Sequence, residues 1–378
     1  MTAMDLAGAT SLIGAAWWCA AVLIFLGSSA AALLARSRPP LRPAGDLPPL
    51  SVIVPVSQAS PEFESAFVSL LSQSYPDFEL LVSATQDHSA AIEQARAIAA
   101  RYPAVPARFI TQNPNAARNP KINNLALPLA AARHDLVVVK DANIRLPAGR
   151  LAEMASAYGG EIGLVASVPV GIAPKNFAAF YECTAMNGYV ARFLLAAAAF
   201  RMGFGIGATM LFSRSDFERA GGIAKSADAV GEDHAISKML AAIGRKTKIA
   251  GTVEQTIGRR NWLDVWRRQL RWALCRRHEA PRIFLIELCV SPLVAALAGA
   301  AGASTIGYSA ACVFLTTIAL WLVAGAGVAL AKGWPYSWRS PFAELLWIVC
   351  FPMLWLQACF TREIAWGDVS FTLPASPR

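Results

Sequence analysis

The chain has few cysteines and histidines, and none of them stands in a spacing typical of a metal or redox site. No CxxC pair occurs, and most of the seven cysteines fall inside apolar tracts, where they pack as small hydrophobes. The cysteines in apolar tracts are Cys19, Cys289, Cys312, Cys350 and Cys359. The histidines, at positions 88, 134, 234 and 278, also lack zinc-ligand spacing. These absences indicate a reducing compartment and no structural zinc.

The common signatures of nucleotide and nucleic-acid binding are missing too. No GxGxxG follows the first predicted strand and no GxxxxGK[ST] occurs, which disfavours dinucleotide-binding and P-loop folds. The formal net charge is +9, but the basic residues crowd at the borders of apolar tracts, and no zinc-finger, RNA-recognition or helix-turn-helix pattern accompanies them. We therefore predict no nucleic-acid partner. No internal repeat is present, which argues against a solenoid or a duplicated transporter.

Long apolar tracts are abundant. Hydrophobic residues make up 55% of the 378 residues, which predicts an enzyme-sized domain attached to a membrane. The tracts span residues 11–34, 283–301, 309–331 and 342–360. Each is long enough to cross a bilayer. Glu344 and Pro352 interrupt the last tract, so it either crosses fully or re-enters.

The basic residues around the first tract predict its orientation. None precedes it, whereas Arg36, Arg38 and Arg42 follow it, so the N-terminus should face outward and the middle of the chain should be cytoplasmic. A cleaved signal peptide is the alternative, although its positive charges normally precede the apolar run. The loop with Lys332 and Arg339 returns the chain to the same side. We predict an integral membrane protein, in a bacterial inner membrane.

Short apolar runs alternate with helical patterns in the middle of the chain. Predicted strands span 50–56, 78–83, 107–111 and 135–140, and predicted helices span 61–73, 89–101 and 122–132. This alternation predicts an α/β fold with a parallel, doubly wound sheet. The chain is thus divided into a membrane helix with a Pro-rich linker (1–48), a catalytic domain (49–257), a basic interfacial helix (258–282) and a C-terminal membrane region (283–378).

Acidic residues follow two of the predicted strands and open a later helix. Asp87 and Asp141 come at strand ends, with Asn143 shortly after, and ligands bind at such ends in open α/β sheets. Glu232 and Asp233 stand together in the sequence GEDHAISKML. Taken singly, each of these acids could be a turn former or a helix cap.

A basic helix with tryptophans is predicted at 258–282, directly before an apolar tract. Trp262 and Trp266 lie one helical turn apart and can enter a lipid headgroup layer. Its arginines include Arg259, Arg260, Arg267, Arg268, Arg276 and Arg277. They attract phosphates of either a lipid or a nucleotide, so the helix is either a membrane anchor alone or also part of a site.

Five segments together resemble the ceramide glucosyltransferases, a membrane-bound branch of the inverting glycosyltransferases with the type-A fold. The segments are TQDHSA around Asp87, NPKINNL at 119–125, KDANIRL around Asp141, GED at 231–233 and RQLRW at 268–272. The resemblance implies a Rossmann-like, mostly parallel sheet and transfer of a hexose, most simply glucose, from a UDP-sugar to the primary hydroxyl of ceramide or a ceramide-like lipid.

The resemblance also implies roles for residues that bind the donor. Asp87 would recognise the uracil or ribose, and Asp141 would bind a divalent cation, Mn²⁺ or Mg²⁺. Lys121 and Asn123 would line the nucleotide pocket. The second carboxylate of the usual Asp-x-Asp motif is missing, because Asn143 stands in its place, so Asp141 would coordinate metal with phosphates and water.

The remaining residues would carry the transfer itself. By the same resemblance, Asp233 is the general base and Glu232 supports it. Arg268 and Arg271 would contact the diphosphate, and Trp272 would wall the site against the membrane. The C-terminal IAWGDVSFTL lacks the arginines of animal relatives, which puts acceptor binding by this tail in doubt.

Several other functions fit the same sequence features. The acceptor could be a hopanoid, a diacylglycerol or a polyprenyl phosphate, and the donor could carry N-acetylglucosamine or a uronic acid. A processive polysaccharide synthase shares the Arg-Trp motif but usually has more membrane spans. An inactive membrane scaffold or transporter component is the alternative that involves no catalysis.

Overall fold

The computed structural model describes residues 3–35, 41–57, 61–84, 89–111, 117–366 and 369–373. The helices are α1 (Ala3–Leu34), α2 (Pro61–Leu71), α3 (Ala90–Ala99), α4 (Pro120–Ala131), α5 (Arg150–Ala157), α6 (Phe177–Ala185), α7 (Arg192–Ala199), α8 (Arg214–Arg219), α9 (Gly222–Ser226), α10 (Glu232–Ala242), α11 (Trp262–Glu279), α12 (Pro281–Cys289), α13 (Pro292–Gly302), α14 (Ala310–Ala331) and α15 (Ser340–Phe360). A π-helical segment, Met186–Ala191, lies between α6 and α7.

The strands are β1 (Leu50–Pro55), β2 (Phe78–Ser83), β3 (Ala107–Ile110), β4 (Leu136–Lys140), β5 (Ile144–Arg145), β6 (Ile162–Pro174), β7 (Thr209–Ser213), β8 (Lys246–Gly258), β9 (Glu363–Trp366) and β10 (Val369–Thr372). The first eight form one sheet in the order β3-β2-β1-β4-β7-β6-β8-β5. Strands β1 to β4 pair in parallel, as do β6 and β8, whereas β4–β7, β6–β7 and β5–β8 are antiparallel. The prediction of a mostly parallel α/β sheet is therefore confirmed, and the antiparallel pairs all involve strands of its second half.

The elements predicted between residues 50 and 140 all form, and their ends agree within two residues. The strand β1 is buried from Leu50 to Val54 and mostly apolar, as is typical of a parallel sheet whose two faces are covered by helices. This half of the sheet brings the carboxyl ends of β1, β2 and β4 to one edge, where β4 delivers Asp141.

Three helices in the described part of the chain are long and apolar enough to cross a membrane. They are α1 from Gly8 to Leu34, α14 and α15. The last of these continues through Pro352 over 21 residues. Neither Glu344 nor Pro352 ends the helix, and by length and apolarity α15 can therefore cross a membrane fully.

The apolar tract predicted at 283–301 is not one straight helix. It is divided into α12 and α13, which are bent by 51° at a break of only a few residues. Pro292 begins α13, and its ring nitrogen cannot donate the hydrogen bond that would continue α12. The expectation of a regular span is therefore corrected to a bent pair, which is either one broken span or a re-entrant loop.

Glycines allow α13 to lie against α1 at close range. A Cβ at Gly14 would lie 2.7 Å from Ala298 O, and one at Gly302 would lie 2.2 Å from Ala15 N. Such small residues let helix backbones approach in a bilayer, where packing replaces the hydrophobic effect. The last turn of α1, at Ala31 and Ala32, joins the apolar core of the sheet domain. The membrane helices and the sheet thus share a packed boundary.

The basic helix α11 is fixed to the end of α15. Trp266 Nε1 donates to Gln357 Oε1 at 2.8 Å, and Arg277 donates to the carbonyl oxygens of Cys359 and Thr361, each at 2.8 Å. The hairpin β9–β10 packs beside it, and Ile364 shares an apolar cluster with residues of α11. The helix α11 is therefore fixed to α15, one of the helices that could span a membrane.

Candidate active site

A lysine bridges two acidic residues at the carboxyl end of β4. Lys121 Nζ lies 2.5 Å from Asp141 Oδ1 and 2.6 Å from Glu232 Oε1, and it donates to Gly207 O at 2.8 Å. Burial would lower the pKa of Lys121, but the two carboxylates outweigh burial and hold that pKa well above its ordinary range. The ion pairs therefore bring together residues that the sequence predicted from three separate motifs.

Element ends position these side chains. Asp141 directly follows β4, Lys121 lies in the first turn of α4, and Glu232 begins α10. Asn119 caps α4, since its side chain accepts a hydrogen bond from the backbone nitrogen of Lys121 at 2.8 Å. The Nδ2 of Asn119 donates to Val230 O at 2.9 Å, so the same residue ties α4 to the segment that leads into α10.

Asp233 lies next to this bridge and is held by backbone donors. Its Oδ2 accepts from Gly207 N at 2.9 Å, and its Oδ1 accepts from His234 N at 2.8 Å. Burial and then the charge of Glu232 raise the pKa of Asp233 to about 6, against the opposing effect of Lys121. A carboxylate with a pKa near the working pH is suited to accept a proton, and at neutral pH it is ready to do so.

A further acidic residue, Glu279, joins the group from the end of α11. Its Oε1 accepts from Gly231 N at 2.6 Å. Burial and then the charge of Asp233 raise the pKa of Glu279 to about 8. Sequence reasoning missed this residue. The available signal was an acidic side chain in the last turn of a helix, where the helix dipole disfavours negative charge.

Arg271, in the middle of α11, interacts through space with carboxylates of the site. Burial and then the nearby Arg268 lower its pKa, while the charges of Asp141 and Glu232 act in the opposite direction. Its guanidinium thus lies within electrostatic reach of the carboxylates at the sheet edge. The helix α11 therefore contributes a positive charge to the site whose carboxylates come from the end of β4 and the start of α10.

Arg268 is placed differently from its neighbour in the motif. Its Nη1 lies 2.8 Å from Glu182 Oε1, and its Nη2 donates to Gln255 Oε1 at 2.9 Å. The guanidinium also lies over the ring of Trp272, 4.8 Å from the centroid. Trp272 in turn packs against an apolar cluster that includes Cys183. Arg268 thus fixes α11 to α6 and β8, and its predicted contact with a diphosphate stays a prediction.

The predicted nucleotide contacts of Asn123 and Asp87 stay predictions. Asn123 is buried, and its Oδ1 and Nδ2 pair with the backbone nitrogen and oxygen of Ala117 at 2.6 and 2.9 Å. It therefore shapes the segment before α4. Asp87 lies outside the described residues, so its predicted contact with uracil or ribose stays a prediction.

Asp141 is the candidate metal ligand. Its side chain is 38% exposed, against 4% for Glu232, so a cation from solvent can reach it more easily. Within the described ranges, no group of three or more His, Cys, Asp or Glu side chains could hold a metal ion. The residues present fit a divalent cation only if Asp141 is one ligand and oxygens of a bound substrate complete the coordination.

Comparison with known proteins gives one family and one architecture. The model of glycosyl transferase family 21 matches residues 15–377. Ceramide glucosyltransferase 1 of Caenorhabditis elegans is 23% identical over 341 residues, covering 88% of this chain and 73% of that protein. Ceramide glucosyltransferase 3 of the same organism is 24% identical over 247 residues, covering 64% of this chain and 53% of that protein.

A solved structure shares the fold. The mannosyltransferase from Pyrobaculum calidifontis in complex with GDP-Man and Mn²⁺ superposes with a TM-score of 0.55 at 18% identity, covering 91% of this chain and 99% of that one. The mixed sheet thus has the type-A glycosyltransferase fold, with candidate membrane spans on both sides of it in the chain. The chain belongs to glycosyl transferase family 21 and is a hexosyltransferase. This confirms the resemblance seen in the sequence.

Proposed function

We propose that this protein transfers a hexose, glucose in the simplest case, from a UDP-sugar to the primary hydroxyl of ceramide with inversion at the anomeric carbon. The observation that carries the proposal is that Asp141 at the end of β4 and Asp233 in α10 lie near Arg271, whose helix α11 leads directly into the apolar C-terminal region. Family membership and relatives named ceramide glucosyltransferase support it.

Asp233 is the general base of the proposed reaction. It takes the proton of the acceptor hydroxyl while that oxygen bonds to the anomeric carbon from the face opposite the diphosphate. The bond between the anomeric carbon and the diphosphate oxygen breaks, and its electron pair leaves with UDP. Burial and then the charge of Glu232 keep the pKa of Asp233 raised, and backbone donors at Gly207 and His234 fix the orientation of the carboxylate.

Arg271 and Asp141 act on the donor. The planar guanidinium of Arg271 donates to the diphosphate and stabilises its growing charge, which a fork of two parallel hydrogen bonds does well. Asp141 holds a divalent cation, Mn²⁺ or Mg²⁺, which when bound neutralises part of the diphosphate charge. Mn²⁺ accompanies GDP-Man in the mannosyltransferase from Pyrobaculum calidifontis. Lys121 keeps Asp141 and Glu232 in place through its two ion pairs.

We further propose that the catalytic domain faces the cytoplasm of a bacterial inner membrane, where nucleotide sugars are made. The basic residues after the first apolar tract support this orientation. A cysteine introduced near Asp141 should react with an impermeant maleimide only after the membrane is opened. Labelling in intact cells would contradict the orientation.

The function is tested by lipidomics of a host that makes ceramide, with and without this gene. The expected result is a new hexosylceramide that requires an intact Asp233. A new glycosylated diacylglycerol, hopanoid or polyprenyl phosphate, with ceramide unchanged, would show that this lipid is the acceptor in place of ceramide. No new glycolipid with any of these acceptors would contradict the proposal.

The activity should rise with pH through about 6, the value to which burial and Glu232 raise the pKa of Asp233. Only the deprotonated carboxylate accepts a proton, so a base with a raised pKa loses activity as pH falls through that pKa. We expect kcat/KM to fall about tenfold for each pH unit below this point. The profile is measured with saturating metal ion, and a flat profile across pH 6 would argue against Asp233 as the base.

Asp141→Ala should remove the metal-dependent part of UDP-sugar binding. The reason is that Asp141 is the more exposed of the two acids on Lys121 and the proposed protein ligand of the cation. Calorimetric titration with UDP-glucose, in Mn²⁺ and in EDTA, should show a difference of about tenfold or more in wild type and almost none in the variant. Asp87→Ala is the contrasting variant and should weaken binding equally in both buffers. An Asp141 variant with unchanged manganese dependence would point to a metal-independent site.

A further inference from the structure

A cavity lies where the catalytic domain meets the membrane helices. Its wall is built from the π-helical segment 186–191, the start of α7, the C-terminal halves of α1 and α14, and the start of α15. Its volume of about 60 Å³ holds a few water-sized groups, which suits an amide and a hydroxyl but not a sugar nucleotide. The reaction described above does not use this cavity.

A buried arginine supplies hydrogen-bond donors to the cavity. Arg192 is 4% exposed, its Nε donates to Gly188 O at 2.8 Å, and its Nη1 donates to Ser28 Oγ. Its guanidinium stacks on the rings of Phe25 and Phe193, with the central carbon 4.9 and 4.5 Å from the two centroids. These contacts hold the group in one orientation. Among the described residues, Nη2 makes no hydrogen bond, so it can donate to a ligand.

An acidic residue faces the same cavity from a membrane-spanning candidate. Glu344 lies in the second turn of α15 and lines the cavity. Its carboxylate makes no hydrogen bond or ion pair with the described part of the chain, although Arg192 acts on it through space. Ionisable groups at membrane depth are costly and usually mark a site that binds something polar. A polar ligand between Glu344 and Arg192 would satisfy both.

The π-helical segment provides independent support. This backbone form is rare and occurs frequently at functional sites. Asn187, within it, accepts from Gly171 N at 2.8 Å and donates to Gly171 O at 2.9 Å, so the segment is fixed to β6. Asn187, Gly188 and Tyr189 all line the cavity. The unusual winding therefore shapes this wall.

One layer of side chains connects the cavity to the catalytic motif. Cys183 lines the cavity and belongs to the apolar cluster against which Trp272 packs. Trp272 adjoins Arg271, which is within electrostatic reach of Asp141 and Glu232. A lipid head in the cavity would therefore lie next to the motif that walls the active site.

We propose that this cavity is an entry site that captures the polar head of the acceptor lipid before transfer. The ligand is a long-chain amide lipid with hydroxyl groups: Arg192 donates to its amide carbonyl, and Glu344 accepts from its amide N–H or a hydroxyl. The hydrocarbon chains lie in the bilayer beside α1, α14 and α15. This inference rests on the proposed ceramide acceptor and adds where that acceptor first binds.

Two glycines of α14 give a matched test. A Cβ at Gly325 would lie 2.7 Å from Glu344 Oε1, whereas a Cβ at Gly327 meets nothing within 4 Å. Gly325→Ala displaces only the end of a flexible side chain, so the fold should persist. We expect Gly325→Ala and Glu344→Gln to raise the KM for ceramide about tenfold, with the KM for UDP-glucose and the slow hydrolysis of UDP-glucose unchanged. Gly327→Ala should stay within about twofold of wild type. Equal effects of the two alanines, or a parallel change in donor KM, would overturn the proposal.

Photolabelling tests lipid binding in the cavity without requiring sugar transfer. A ceramide with a diazirine close to its amide, added to the full-length protein in nanodiscs, should label peptides covering 184–193 and 340–347. Excess natural ceramide should prevent this, and phosphatidylcholine should not. Equal competition by phosphatidylcholine would reveal a structural lipid site and overturn the proposal. A separate groove is lined by Tyr181, Trp262, Val265, Trp266, Leu346 and Cys350. Labelling of the peptide with Trp262 and Trp266 but not of 184–193 would place the lipid in that groove and also overturn the proposal. If wild type labels as expected but transfers no sugar to ceramide, the proposed reaction fails while the lipid site stands.

Discussion

Asp233→Asn is expected to lower kcat for sugar transfer about 100- to 10,000-fold and to leave the affinity for UDP-sugar within a few-fold. The amide has nearly the shape of the carboxylate but cannot accept the proton of the acceptor hydroxyl. Both carboxylate oxygens accept backbone hydrogen bonds, from Gly207 and His234, so one of these bonds is lost in the variant. Its melting temperature in detergent should be measured beside the transfer rate.

Asp228→Asn is the matched control, because Asp228 is exposed and only five positions away in sequence. It should behave as wild type in both assays. Near-normal glycolipid formation by Asp233→Asn, at equal expression, would show that Asp233 only stabilises the start of α10. A loss of activity together with a much lower melting temperature would point to a folding defect. A loss of activity with intact donor binding would point to loss of the base.

Arg271→Lys is expected to lower transfer about 100-fold while the protein stays in the membrane. An ammonium group keeps the charge but cannot form the planar pair of hydrogen bonds to a diphosphate. If Arg271 served only to attract anionic lipid, the change would be nearly silent, because that attraction depends on charge and contributes about 1 kcal/mol per residue. The measurement is kcat/KM for the UDP-sugar together with membrane flotation.

Arg267→Lys is the control on the same helix, since Arg267 is exposed. Arg276 and Arg277, on the same helix, are less suitable as controls because both have specific partners. Arg276 forms an ion pair of 2.6 Å with Glu287, and Arg277 donates to carbonyl oxygens at the end of α15. Equal, small effects of Arg271→Lys and Arg267→Lys would leave α11 as an anchor.

The first half of the sheet could be predicted from sequence because its strands are short apolar runs between amphipathic helices. The second half could not. Strands β6 and β8 are 13 residues long, contain glycine or proline, and pair with each other in parallel across more than seventy residues, with register shifts. Local patterns carry little information on such distant pairing, since tertiary packing decides it.

The site was predictable to the extent that its residues stand at element ends. Asp141, Glu232 and Asp233 come from motifs in the right order, and the structure brings them together around Lys121. The ion pairs themselves depend on geometry that spacing does not encode. Glu279 was missed because it lies among basic residues of α11, and only folding shows that it accepts from Gly231 N.

The central claim is most directly tested by purified full-length protein with α-linked UDP-glucose, Mn²⁺ and ceramide in mixed micelles, followed by NMR of the lipid product. The account predicts β-linked glucosylceramide as the product, with UDP released in step with it apart from slow hydrolysis, and at least about 100-fold slower formation with Asp233→Asn. An α-linked product would contradict inversion. UDP-glucose binding and hydrolysis without any glucosylceramide would contradict ceramide as the acceptor.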